Sequence, residues 1–207
     1  MSLRNRWWIT GLLALCLLVG MARDLRADEV AVLMSATGMQ GHFTQRITNA
    51  DGDDLGTSQG QFALLRPRFF KWEITSPGSQ LIVSDGTYLW QYDRDLETIS
   101  RRTVAGAGTS PLQLLALDPD TLRQDYEVET LDEGLRLIPR QASALFQRLD
   151  IVLKQGVPSQ LDVIDNLDQQ LSIALHVAED QVPTASDFMF TPPDDVELTI
   201  VDGPDIQ

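Results

Sequence analysis

The sequence predicts a mainly β protein with short helices, an antiparallel meander curled on itself, and three observations predict it. Apolar residues alternate with polar ones along most of the chain, the period of strands with one buried face. Turn residues interrupt this alternation at close intervals, at Asp51 to Asp54 around Gly52, Pro77-Gly78, Asp85-Gly86, Glu133-Gly134, and Gly156 with Pro158, as hairpins require. The strand template fits about ten times, more than a flat, strongly twisted sheet usually carries without curling.

Before the first strand lie two other segments. Arg4 and Arg6 precede an apolar stretch from Trp7 to Val19, followed by small residues at Gly20 and Ala22. This is the make-up of a secretory signal peptide, and the stretch is shorter than the roughly 20 residues a bilayer span needs. A signal peptide is expected over 1–22, with Ala27 as the second choice of cleavage site, leaving one domain over 23–207. Cys16, the only cysteine, follows Leu15 in mid-run, whereas a lipidated cysteine needs a small residue before it at the end of the run. Cys16 is therefore read as part of the removed segment. The mature chain then has no thiol for a disulfide or a metal, and a core must hold it together.

From Asp28 to Thr37, Val30, Leu33 and Met34 recur at helical spacing after an acidic start, with Gly38 as the stop. Beyond this the period becomes two. Phe62, Leu64 and Arg66 share a face of one strand, Phe70, Trp72 and Ile74 a face of the next, and Tyr88, Trp90 and Tyr92 a face of another. Between Ser110 and Arg123 the pattern turns helical, with Ser110-Pro111 and Asp118-Pro119 each setting a capping residue before a proline suited to the first helical position. Leu112, Leu114, Leu115, Ala116, Leu117 and Leu122 make these helices apolar on more than one side, so they must be covered on both sides or face something apolar that is not always there. Alternation then resumes through Leu135 and Leu137, Leu149 to Leu153, Leu161 and Val163, and Leu171 to Val177. Val196, Leu198 and Ile200 suggest a last strand.

The formal net charge is −14, and loss of the first 27 residues, with four arginines and one aspartate, would take it to −17. Such a balance argues against nucleic acid, which demands clustered Lys and Arg, and against an anionic bilayer surface. Its simplest role is solubility. Gly56-Thr57-Ser58-Gln59-Gly60 matches G-x-S-x-G, but a nucleophile elbow lies between a strand and a helix, and here a strand follows. Asn49, Asp51 and Asp53 have the spacing of a calcium loop without its glycine and its closing glutamate. His42 and His176, with no thiol and no HExxH spacing, do not make a zinc site. Neither a metal nor a cofactor is expected, nor a catalytic centre.

Several blocks resemble one known family. Phe43-Thr44-Gln45, Arg66-Pro67-Arg68-Phe69-Phe70-Lys71-Trp72, Leu81-Ile82-Val83-Ser84-Asp85-Gly86, Leu89-Trp90-Gln91-Tyr92-Asp93 and Phe188-Met189-Phe190-Thr191-Pro192-Pro193 look like the signature segments of LolA, the outer-membrane lipoprotein carriers, in the expected order. The resemblance implies an incomplete antiparallel β-barrel, or half-barrel, covered by an α-helical lid, with an apolar cavity between them. It also implies a periplasmic monomer that takes acylated lipoproteins from the inner-membrane ABC transporter LolCDE and hands them to the outer-membrane receptor LolB. The receptor is itself lipidated, so the position of Cys16 favours the carrier. Two rivals share the fold: a periplasmic sensor of lipid or lipoprotein, and a dedicated carrier of another lipid.

In such a carrier the expected cavity lining is Leu33, Phe62, Leu64, Phe70, Trp72, Ile74, Tyr88, Trp90, Leu112 and Leu115. Arg66 shares a strand face with Phe62 and Leu64, where an unpaired guanidinium would be costly. Residue pattern alone allows either an inward arginine with acceptors or one at the strand end that reaches water beside Pro67. The resemblance implies the first, a lid latch bonded to helix carbonyls, with candidates around Leu33 and in Leu112 to Leu117. It implies also that Phe70 touches the transporter.

Overall fold

The computed structural model describes residues 30, 33, 35–104, 111–141, 145–178 and 181–201, with the backbone alone for 111 and 112. The expected signal peptide, Met34 and Ser110 lie outside the described residues. Val30, Leu33 and Ser35 are helical. Six strands follow, β1 Gly38–Thr48, β2 Asp54–Leu65, β3 Phe69–Ser76, β4 Gln80–Asp85, β5 Tyr88–Asp93 and β6 Thr98–Thr103. A 3-10 helix, Pro111–Ala116, and an α-helix, Pro119–Asp125, lead into β7 Tyr126–Leu131, β8 Gly134–Pro139, β9 Phe146–Lys154, β10 Val157–Asp165 and β11 Gln170–Val177. A second 3-10 helix, Ala185–Phe188, and β12 Glu197–Ile200 complete the described chain.

The twelve described strands form one sheet in the order β12-β6-β5-β4-β3-β2-β1-β11-β10-β9-β8-β7. Two meanders, β2 to β6 and β7 to β11, are thus joined through β1, which pairs antiparallel with both β2 and β11. The sheet begins with β12 and ends with β7 without closing, an incomplete barrel. The turns stand where the sequence placed them. Gly86 adopts φ 90° between β4 and β5, a left-handed conformation open to glycine at little cost, while the carboxylate of Asp85 accepts the amides of Thr87 and Tyr88 at 2.8 Å each.

Two details go beyond the sequence reading. Gly38 opens β1 instead of simply stopping a helix, and a Cβ there would sit 2.8 Å from the Leu64 carbonyl oxygen across the ladder. The last strand pairs parallel with β6, unlike every other described pair, and all four of its residues are exposed. Alternation of Val196, Leu198 and Ile200 suggests one buried face, but an edge strand has a neighbour on one side only, and among the described residues nothing buries this one.

The sheet is buried on two faces. On one, Met39, Phe43, Phe62, Leu64, Phe70 and Trp72 join Leu135, Leu149, Ile151, Leu161 and Ile173 in a continuous core capped by Val30, Leu33, Leu114, Leu115 and Leu122 from the helices. On the other, over β3 to β6, Phe188 and its neighbours Phe190 and Val196 cover Leu81, Val83, Trp90 and Ile99. Among the described residues, no helix is long and apolar enough to cross a membrane.

Candidate functional site

Gly60 shapes the centre of the helix-covered face. It lies on β2 between Phe43 of β1 and Ile74 of β3, and a Cβ there would fall 1.8 Å from the Glu73 carbonyl oxygen and 2.8 Å from the Phe43 ring. Its lack of a side chain lets Phe43 stack on Trp72 across β2, with centroids 3.4 Å apart and planes at 20°. The G-x-S-x-G match around Ser58 accordingly runs inside a strand, as Gly56 to Gly60 all belong to β2. No strand-to-helix elbow is formed.

The helices cover this floor with leucines. Leu33, Leu114 and Leu115 are each 1% exposed and Leu122 is wholly buried. The helix bearing Leu122 is held by Asp118, whose carboxylate accepts the amides of Asp120 and Thr121 at 3.1 and 2.9 Å and the Thr121 hydroxyl at 2.7 Å. Those bonds supply acceptors for amides that the first turn leaves unpaired, and they hold the Asp118 carboxyl below its ordinary value.

Arg66 ties the helical segment to the sheet. It follows Leu65, the last residue of β2, and its backbone amide donates to the Thr37 carbonyl at 2.8 Å. Its guanidinium turns back onto the first helical segment, donating through Nη2 to the Leu33 carbonyl at 3.1 Å and through Nη1 to the Ala36 carbonyl. The last carbonyls of a helix lack intrahelical partners and carry partial negative charge, so a cation there is doubly suited. Burial pushes the guanidinium pKa down to about 10, which leaves it charged at neutral pH. Arg66 thus stands at the strand end beside Pro67, and its head meets the carbonyls of Leu33 and Ala36.

Beside this junction a groove of about 520 Å³ opens, lined by Ala36, Met39, Lys154, Leu175, Val177 and Val182 among others. Met39 and Leu175 belong also to the central core, so the groove and the core share a wall.

Of the residues expected to line a cavity, Leu33, Phe62, Leu64, Phe70, Trp72 and Leu115 meet in this cluster, and Ile74 packs against it half-buried. The side chain of Leu112 lies outside what is described. Tyr88 and Trp90 do not belong there. They share a face with Tyr92, as alternation required, but it is the opposite face, where they pack with Phe69, Phe188 and Phe190. The register explains this correction: Trp90 opposes Val83 on β4, and Val83 opposes Lys71 on β3, one residue out of phase with Phe70 and Trp72. Alternation says which residues share a face and is silent on which face it is. Residues missing from the expected lining include Met39, Phe43, Leu114 and Leu122. The apolar run after Ser110 signalled the last two, and Phe43 stood in a signature block.

Asn49, Asp51 and Asp53 lie in the turn between β1 and β2, where Asn49 Oδ1 accepts the amides of Asp51 and Asp53 at 3.0 and 2.8 Å. His42 and His176 oppose each other across β1 and β11, both exposed.

A family model described as "Outer membrane lipoprotein carrier protein LolA" matches residues 34–191. The outer-membrane lipoprotein carrier protein of Alkalilimnicola ehrlichii is 33% identical over 201 residues, 93% of this chain and 94% of that protein. Its counterpart from Bordetella pertussis is 36% identical over 175 residues, 82% of this chain and 81% of that protein. Among solved structures, an uncharacterized conserved protein from Thermus thermophilus matches with a TM-score of 0.50 at 16% identity, over 84% of this chain and 96% of that one, a likeness of fold alone.

Proposed function

Since the chain belongs to the LolA family of outer-membrane lipoprotein carriers, we propose that it binds the acyl chains of lipoproteins released from the inner membrane and delivers them to an outer-membrane receptor. On this reading residues 1–22 are a signal peptide, the domain over 23–207 works in the periplasm, and no catalysis is involved. The physical need is plain: each methylene exposed to water costs about 0.8 kcal/mol, so a multiply acylated anchor cannot cross an aqueous gap uncovered. The transporter LolCDE is the proposed donor and the receptor LolB the proposed acceptor.

The described lid leucines are packed against the sheet, so a guest needs the helices to lift. Arg66 is the proposed latch. Its bonds to the Leu33 and Ala36 carbonyls hold the helical segment down on the sheet, and any bond that must break for a guest to enter weakens lipid binding and favours release. That single pairing of a strand-end guanidinium with helix carbonyls is what carries the reading. The groove walled by Ala36 and Met39 adjoins the latch and offers the first shelter for a chain. Phe70 is proposed to touch the transporter; it is 2% exposed, so that contact follows opening.

Replacing Arg66 with Leu tests this. The variant is expected to fold, to accept lipoprotein and to retain it, with transfer to receptor-bearing membranes reduced about tenfold or more, the worth of one or two charge-assisted hydrogen bonds. Arg66→Lys should be impaired as well, because an ammonium does not reproduce the planar fork. Transfer at the wild-type rate by the Leu variant would end the latch reading.

A further inference from the structure

The helix-covered face changes character toward β6. One cross-strand row runs Met39, Leu64, Phe70, Ser84, Leu89, Arg102, and the next runs Phe62, Trp72, Ile82, Gln91, Ser100. Side chains in a row point to one face, so the apolar floor of β1 to β3 passes into a strip bearing Gln91, Ser100 and Arg102. Ser84, also in this strip, is already used: its hydroxyl donates to the Arg68 carbonyl at 2.7 Å.

The other three are not used. Among the described residues, Gln91, Ser100 and Arg102 make no side-chain hydrogen bond or ion pair. For Gln91, which is exposed, water suffices. Arg102 is half-buried beside Leu89, itself 7% exposed, and burial alone displaces its pKa downward, with no carboxylate offsetting it. Its neighbour in the chain shows the contrast. Arg101 points to the other face and lies over the Tyr88 and Trp90 rings, 4.4 and 5.4 Å from their centroids. Arg101 thus rests on ring faces, although its buried Nε has no hydrogen-bond partner among the described residues, whereas Arg102 holds five donors at the edge of a greasy floor with neither a ring beneath it nor an acceptor among the described residues.

We propose that Arg102, assisted by Gln91 and Ser100, binds the ester carbonyl oxygens that join the fatty chains of the cargo to its glyceryl group. The inference rests on the carrier reading and deepens it. An acylated lipoprotein is apolar in its chains, carries only acceptors at its esters, and is a polypeptide beyond. A face that is apolar over β1 to β3 and bears unpaired donors over β5 and β6 matches the first two parts in that order. Arg102 is then a specificity residue for ester-linked lipid, separate from Arg66.

The test uses the mature chain and two synthetic probes, an N-palmitoyl cysteinyl peptide carrying a dipalmitoyl glyceryl group and its dialkyl ether counterpart, which lacks the ester carbonyls. Affinities are read by displacement of a fluorescent fatty-acid probe. Wild type is expected to prefer the ester by about tenfold, the worth of a charge-assisted hydrogen bond. Arg102→Leu should lose that preference with ether affinity unchanged, and Arg102→Lys should recover part of it. Thermal melting should be the same for all three proteins, because Arg102 makes no bond within the described fold. A preference that persists in Arg102→Leu, or a loss equal for both probes, overturns the proposal. So does tighter binding of dipalmitoyl phosphatidic acid than of the ester peptide by wild type, which would make the ligand a phosphate-bearing lipid. Failure of wild type to bind either peptide would instead defeat the carrier reading beneath it.

Discussion

Asp85 shows how one side chain can fix a whole hairpin. One carboxylate oxygen accepts the amides of Thr87 and Tyr88, and the other accepts Trp90 Nε1 at 2.9 Å. Burial opposes its ionisation, but the Tyr88 amide, the Trp90 indole, the Thr87 amide and the charge of Arg101 together hold its pKa below the ordinary 3.8. A carboxyl depressed in the folded state lends stability that is complete above its unfolded value and fades as pH falls through the folded one. Asp85→Asn should therefore lower the melting temperature at pH 7, and the gap between variant and wild type should narrow below about pH 4. Thermal melts from pH 7 to pH 2 measure it, and a gap independent of pH would show that the charge is immaterial. Arg101 belongs to the same group: its Nε is buried without a hydrogen-bond partner among the described residues, and the Tyr88 and Trp90 ring faces take the place of an acceptor.

At the scale of elements, Asp118-Pro119 was legible because capping chemistry is local: a carboxylate meets free amides one turn on, wherever the helix later docks. Asp118→Ala should cost about 1 kcal/mol, read from urea denaturation. The loss should accompany weaker seating of Leu122, since that residue is delivered by the same short helix. What is not local was not legible. Tyr88 and Trp90 were expected inside and lie outside, because the number of residues between β4 and β5 sets the phase of one strand against the next, and neither strand carries that information alone. The last strand was legible from its alternation, but its partner, β6, lying far back in the chain, was not.

For the whole molecule, the meander, its turns and the presence of a helical cover could be read from periodicity, since both follow from short segments with one apolar side. The order of strands could not, because it depends on β1 finding β11 across most of the sequence. At the candidate site, Phe62 and Leu64 were readable as one face of a strand and Phe70 and Trp72 as one face of the next, whereas the turn of Arg66 toward Leu33 and Ala36 needed the helix to be set in place. If the latch governs opening, Arg66→Leu should raise hydrogen exchange across residues 30–38 and leave that of β8 to β10 unchanged. A uniform rise would indicate general loss of stability instead.

The place of β1 in the middle of the sheet also bears on how the chain comes together. Hairpins from β2 to β6 join neighbours in sequence and can zip as soon as those residues are free to pair. The ladder that opposes Gly41 to Val177 closes a loop of more than half the polypeptide, and such long closures are slow. The two halves of the sheet can therefore be stitched together only once β11 is available, and until then the floor that will later shelter fatty chains is itself open to water.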